Sequence, residues 1–364
     1  MDALMPRKGK TFPPGVYRFD MLEEILDDRK PPAKHWLVKG LIASGETSAW
    51  IAPPGGMKSA LMAELAVAVS NGTPDGCWHG RKVPALWGVL YFALERADLV
   101  KRRLRAHFER MGPAGDETGY YGIAVVRDTV NLMDHESASK VVKTVRECSE
   151  QLGPLPRLLI FDTFAKTIAA GGGNEDKAQD QGKVFANIQR IKDALDPGPG
   201  TIGPPHVALI GHTGKDESRG ARGSNAFYGD ADLMVEISGK EIKTATVTKA
   251  NDMPEGPLFS FRSETHEFGK DEDGDPITVN IVSAEEVATA SPSEREPKLT
   301  ANQKTMFAML HDAGASGLLT EDWNEKARQA GIGIKRRADL TDIRTSLKSK
   351  GLIREMGDRW TVRH

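Results

Sequence analysis

The stretch from Glu46 to Asn71, ETSAWIAPPGGMKSALMAELAVAVSN, constrains the fold of this chain more than any other. A short apolar run, Ser48 to Ile51, enters a Pro/Gly-rich turn. Lys58-Ser59 follows, and then an apolar-rich segment at helical spacing. Strand, loop, helix is the setting in which a phosphate-binding loop works. The loop's backbone N–H groups and the helix N-terminus turn positive partial charge toward an anion. The candidate phosphate-binding residues are therefore Pro54, Gly55, Gly56, Met57, Lys58, Ser59 and Ala60. In that reading Lys58 reaches the β- and γ-phosphates of ATP and the Ser59 hydroxyl holds Mg²⁺. The match to G-x-x-x-x-G-K-[ST] is inexact, with Ala52 at the first glycine and Met57 at the second. Gly55 and Gly56 still supply backbone freedom, but the Met57 side chain has to point away from a nucleotide. The competing reading is a Pro-Gly turn carrying a solvated lysine. The apolar flanks on both sides favour the phosphate loop.

The length of 364 residues leaves room for a large core and one small appended domain. A net charge of −2 excludes an overall electrostatic pull toward nucleic acid, so any DNA contact has to come from local patches. Two cysteines, Cys77 and Cys148, show no metal-ligand spacing and suggest a reducing compartment. No apolar run approaches the ~20 residues of a membrane span, and no signal-peptide core is apparent. The expectation is a soluble, cytoplasmic protein with no membrane partner.

Along the chain, Gly88 to Leu94 reads as a buried strand delivering Glu95, and Arg96 to Arg110 as a basic amphipathic helix. The basic positions of that helix are expected on a subunit or solvent face. Arg157 to Phe161 is an apolar strand delivering Asp162, the Walker B arrangement in which a strand-end carboxylate orients Mg²⁺ and its waters. His206 to Ile210 is a further strand, leading to His212 and to a polar loop with Lys215, Arg219 and Arg222. Leu233 to Ile237, Lys243 to Lys249, Leu258 to Thr265 and Ile277 to Val282 read as antiparallel strands extending a parallel sheet. Trp78 and His79 are expected to pack against the phosphate-loop helix.

The expected division is an arm over 1–35, a core over 36–283, a Pro/Ser/Glu-rich linker over 284–297 and a module over 298–364. In the last, three helical segments and a two-strand hairpin predict a winged helix-turn-helix. It holds 13 Lys and Arg against 8 Asp and Glu, a net of +5, leaving −7 elsewhere. That asymmetry suits a nucleic-acid contact, although such modules also dock proteins.

Four pieces stand in order: Ala52 to Ser59, Ala93-Leu-Glu95, Phe161-Asp-Thr163, and Gly211-His-Thr-Gly-Lys215 with Arg219 and Arg222. Over roughly residues 36–250 the chain resembles the plasmid RepA-type hexameric replicative helicases and their phage relatives. These are AAA-like P-loop ATPases with a RecA core. The resemblance implies an α/β fold with a mixed, mostly parallel sheet. It also implies an ATP- and Mg²⁺-dependent hydrolase working as a homo-hexameric ring on single-stranded DNA. In that family the strand-end glutamate activates the attacking water, which here is Glu95. The Walker B aspartate maps to Asp162, and the γ-phosphate sensor to His212. The arginine before a Gly-Ser pair, reaching a neighbouring subunit's nucleotide, maps to Arg222, with Arg219 close enough to exchange roles. The loops Ala169–Asp180 and Gly214–Asn225 would line the DNA channel. Gly211 stands where relatives often carry a second histidine. The alternatives are an ATP-regulated initiator whose winged helix reads duplex DNA, and a helicase loader or recombination mediator without unwinding activity.

Overall fold

Six consecutive buried residues, Thr47–Ala52, place the phosphate-loop strand in the interior of its sheet. A strand buried on both faces needs cover on both faces, and the chain supplies it with helices in two layers. The computed structural model describes residues 34–73, 75–112, 122–153, 155–198, 201–213, 229–283, 299–334, 338–350 and 352–362. The chain divides into two compact units, Met1–Ala290 and Ser291–His364.

In the larger unit, β1 (Trp36–Val38) and β2 (Ile42–Ala43) pair antiparallel ahead of β3 (Thr47–Ala52). Helix α1 (Lys58–Asn71) is buried at every position except Ser59, so it is apolar nearly all round, as a helix in the middle of a layer must be. It stops at Gly72, whose φ of 78° lies in the left-handed region that favours glycine. The two-residue strands β4 (Cys77–Trp78) and β5 (Arg81–Lys82) make a small hairpin with His79 and Gly80 at its turn. Then come β6 (Val89–Ala93), α2 (Ala97–Met111), β7 (Ile123–Val126) and α3 (His135–Leu152). Asp134 caps α3 by accepting a hydrogen bond from the Ser137 N–H at 3.0 Å. They are followed by β8 (Leu158–Asp162), α4 (Phe164–Ala169), α5 (Ala178–Leu195) and β9 (His206–His212). The unit closes with β10 (Leu233–Ser238), β11 (Ile242–Ala250), β12 (Gly256–Lys270) and β13 (Pro276–Val282).

Among the described residues the main sheet has nine strands in the order β13-β12-β11-β10-β3-β9-β8-β6-β7. From β10 to β7 every neighbour is parallel, and from β10 outward to β13 every neighbour is antiparallel. This α/β sheet is mixed and mostly parallel, with one correction: β10 pairs parallel with β3, so the antiparallel extension begins one strand later than expected. One apolar layer lies over α1 and α2, with Leu61, Tyr91, Leu104 and Phe261 among its members. The opposite layer holds Leu132, Val145, Ile188 and Leu209. Strand β12 runs on for 15 residues because it changes partner midway, pairing with β11 up to Arg262 and with β13 from Ser263. Val279 and Ile281 of β13 pack with Ala106 of α2, so this extension covers the helix layer.

The smaller unit folds around a core of its own. It contains α6 (Ala301–Asp312), β14 (Leu318–Leu319), α7 (Thr320–Gln329), α8 (Ala338–Ser349), β15 (Ile353–Met356) and β16 (Arg359–Val362). Thr300 and Gln303 form a reciprocal capping box at the start of α6. The expected hairpin is the β15–β16 pair, and β14 adds a third strand to it in the order β14-β16-β15. The core is built on Met306, Leu310, Trp323, Leu347 and Trp360. The Trp323 indole donates to the Met306 carbonyl at 3.0 Å, so a large buried ring keeps its one donor satisfied. Arg344 is buried, bonded to Asn324 and set over the Trp360 ring.

Candidate nucleotide site

The loop after β3 has its shape dictated by two glycines. Pro53 to Gly56 is a turn closed by the Gly56 N–H on the Pro53 carbonyl at 3.0 Å. Pro54 presets one central position, and Gly55 at φ 75° takes the other. A Cβ at Gly56 would stand 2.5 Å from the Ala52 Cβ, so only glycine allows the chain to fold back on itself there. Met57 then adopts φ 63°, ψ 16° and leads directly into α1. This is a left-handed conformation for a residue with a side chain, which costs about 1–2 kcal/mol and explains why the motif has glycine at this point. The Met57 side chain packs against the core layer.

Lys58 is 6 % exposed, yet its ammonium is satisfied. It donates to the Ala52 carbonyl at 2.8 Å, the Pro53 carbonyl at 3.2 Å and His212 Nδ1 at 3.3 Å. Because an ammonium only donates, His212 Nδ1 is the acceptor and the imidazole proton sits on Nε2. Burial pulls the Lys58 ammonium down to about 8, against the opposing pull of Asp162 and Glu95. His212 ends β9 directly beside Ala52, and the Thr213 N–H locks that register by donating to the Ala52 carbonyl at 3.2 Å.

The acidic side of the cleft comes from β6 and β8. Asp162, the last residue of β8, is 5 % exposed. Its carboxylate accepts from the Tyr91 hydroxyl at 2.8 Å and from the Ser59 hydroxyl. Burial pushes this carboxyl up, while the two hydroxyls hold it down. The Leu94 N–H donates to the Asp162 carbonyl at 2.8 Å, which sets Glu95 next to it. The exposed Glu95 carboxylate accepts from the Thr163 hydroxyl at 2.9 Å.

These groups line one cleft of about 520 Å³, together with Pro54, Gly55, Gly56 and Met57. Of the phosphate-loop candidates only Ala60 is not in the lining; it is wholly buried and its N–H bonds the Met57 carbonyl at 3.1 Å. The cleft lies at the C-terminal ends of parallel strands, where open α/β sheets hold their ligands. Sequence reading missed four cations of this cleft: Arg96, Arg103, Lys240 and Lys243. Arg96 and Arg103 were expected on a subunit or solvent face, but Arg96, the residue just before α2, and Arg103, on its second turn, both line the cleft. Arg103 is held by its Nε donating to the Asn280 carbonyl at 3.2 Å. That i, i+7 spacing directly after Glu95 was the available signal. Nothing local marked Lys240 and Lys243, which arrive through the pairing of β10 with β3. Arg219 and Arg222, with the loop over 214–228, lie outside the described residues.

Among the described residues no group of three or more His, Cys, Asp or Glu could hold a metal ion by itself. The adjacent Ser59 hydroxyl and Asp162 carboxylate are the hard oxygen donors that suit Mg²⁺, which keeps several waters and takes further oxygens from phosphates. The residues present fit that ion. A family model described as AAA domain matches residues 14–218, more than half of the chain. The chain belongs to the AAA domain family. It is a P-loop ATPase. The phosphate loop, Glu95, Asp162 and His212 all fall inside the matched span, whereas Lys240, Lys243, Ser263 and Asn280 of the cleft wall fall beyond it. A comparison with curated proteins finds no match. No helix among the described residues is long and apolar enough to cross a membrane.

Proposed function

We propose that this AAA ATPase is a ring-forming motor that hydrolyses ATP and translocates on single-stranded DNA. One observation carries the reading: Lys58, Ser59, Glu95, Asp162 and His212 converge on one cleft from four neighbouring parallel strands. Lys58 binds the β- and γ-phosphates, and Ser59 with Asp162 holds Mg²⁺. Mg²⁺, when bound, neutralises charge on the β- and γ-oxygens. Glu95, oriented by Thr163, takes the proton of the attacking water. His212, already hydrogen-bonded to Lys58, reports the state of the phosphates to the loop that follows it. Arg222 serves the neighbouring subunit's nucleotide in a ring, six-membered by the resemblance. The cleft lining carries Lys58, Arg96, Arg103, Lys240 and Lys243 against Glu95 and Asp162, a balance that suits a polyphosphate anion.

The test is ATP turnover with and without single-stranded DNA. Glu95→Gln is expected to keep MgATP bound while turnover falls by about 10² or more. Single-stranded DNA is expected to stimulate the natural chain, with binding that weakens steeply as salt rises. Undiminished turnover in Glu95→Gln removes that residue from the mechanism. Absence of stimulation removes the motor.

One observation favours a second reading of the smaller unit, in which its winged helix docks a replication protein instead of gripping duplex DNA. Arg344 is committed internally, and the exposed described positions of α8 are Thr341, Asp342, Thr345 and Lys348, a near-neutral face. Footprinting on duplex DNA separates the two, and a strand-unwinding assay separates a helicase from a loader or an initiator.

A further inference from the structure

Tyr91 is a large buried polar side chain whose hydroxyl reaches the cleft's Asp162, and the chemistry above does not use it. It lies on β6, wholly buried, in the apolar layer under α1. Its neighbour two residues on, Ala93, is the register partner of Asp162 across the β6–β8 pair. Successive side chains alternate faces, so Tyr91 and Ala93 share one face, and the phenol extends along it to reach Asp162. The hydroxyl donates to Asp162 Oδ2 at 2.8 Å. Phe92, on the opposite face, instead stacks on Phe161 at 4.4 Å between ring centres. For packing alone a phenyl ring would fill this layer equally well, and it would spare the burial of a hydroxyl. The hydroxyl therefore has a task, and its one partner is a carboxylate of the cleft.

We infer that Tyr91 is a positioning residue for the metal carboxylate, holding Oδ2 of Asp162 so that the carboxylate stays turned toward Ser59, the residue with which it would hold the ion. The inference rests on the reading of Asp162 as a Mg²⁺ residue. A carboxylate has two equivalent oxygens and a free torsion, and a fixed donor on one oxygen selects the orientation of the other. Partners of this kind, behind a metal-binding group, typically change metal affinity 10–100-fold when removed. Tyr91→Phe alters no charged group and removes only the hydroxyl, and the ring volume is kept.

The experiment is a Mn²⁺ titration, followed by electron paramagnetic resonance, of the full chain saturated with ADP. Three variants are compared with the natural chain: Tyr91→Phe, Asp162→Asn and the two combined, each first checked by its thermal melt without nucleotide. Asp162→Asn is expected to weaken Mn²⁺ binding strongly, and Tyr91→Phe by about tenfold or more. Adding Tyr91→Phe to Asp162→Asn is expected to change the midpoint by less than twofold, because the phenol acts only through that carboxylate. A Tyr91→Phe midpoint within twofold of the natural chain, with Asp162→Asn shifted, overturns the role of Tyr91 alone. An unshifted Asp162→Asn overturns the metal reading and the inference with it. An equal Tyr91→Phe effect in both backgrounds shows a general loosening of the layer and also overturns it.

Discussion

Lys58 gives the site a pH dependence of calculable size. Its ammonium is pulled down to about 8 by burial, so it titrates within the working range of an ordinary binding assay. A polyphosphate needs the charged form, and once bound it raises that pKa again by opposing charge. The ammonium fraction of the free protein falls from about three-quarters at pH 7.5 to about 3 % at pH 9.5. Apparent affinity scales with the competent fraction, so the Kd for nucleotide is expected to rise about 25-fold across that range, or roughly 1.9 kcal/mol. The last phosphate proton leaves near pH 6, which keeps the ligand's charge constant throughout. Fluorescence titration with a nucleotide analogue measures the curve, and calorimetry in buffers of different ionisation enthalpy measures the proton taken up on binding above pH 8. Lys58→Arg is the control, because guanidinium stays charged and its affinity, even if weaker, should be flat over the same range. Unfolding has the opposite sign and cannot mimic the effect. The unfolded chain keeps this proton to about 10.5 while the folded chain releases it near 8, so the group favours the ligand-free fold increasingly as pH rises between them. A flat curve for the natural chain refutes the placement of a buried, charged Lys58 against the phosphates.

Arg222→Ala and Lys58→Ala are each expected to be inactive, but mixed they should regain ATPase wherever an intact phosphate loop meets an intact Arg222. A mixture no more active than the sum of its parts rules out a finger acting between subunits. At Met57, relief of left-handed strain opposes the entropy and packing lost with glycine, so Met57→Gly should change stability in a denaturant melt by less than about 1 kcal/mol. Met57→Val, a β-branched residue at φ 63°, should instead cost about 2 kcal/mol, and equal effects of the two would remove strain as the explanation.

The parts legible in the sequence were those with a local signature. Each apolar run ending in a polar residue, at Glu95, Asp162 and His212, proved to be a central parallel strand delivering that residue to the cleft. Asp162 and His212 are the last residues of their strands, not loop residues, because pairing with β9 and β3 carries the ladder one or two residues further than the apolar run. Trp78 and His79 do pack on the phosphate-loop helix, through Glu64 at 3.2 and 2.9 Å. What escaped was non-local. A two-residue strand such as β14 has no period of its own and exists because β16 pairs with it. The direction of β10 is likewise set by its neighbour β3, and its alternating pattern reads the same in either direction. Arg103 looked like surface charge because a helix sequence shows which residues share a face, and only the fold of β12 and β13 shows that this face is covered.

The place where the family match stops has a consequence for how this protein can be divided. The match ends at residue 218, but β10, which begins at Leu233, is the strand hydrogen-bonded along one whole side of β3. A fragment ended at the match would leave Ser48 to Ile51, four buried residues, as an open sheet edge. A flat, uncharged edge of that kind templates pairing with other chains. It would also lose Lys240, Lys243, Ser263 and Asn280 from the cleft. A piece that keeps β3 paired on both sides and presents the complete cleft wall therefore runs through β13 to at least Val282.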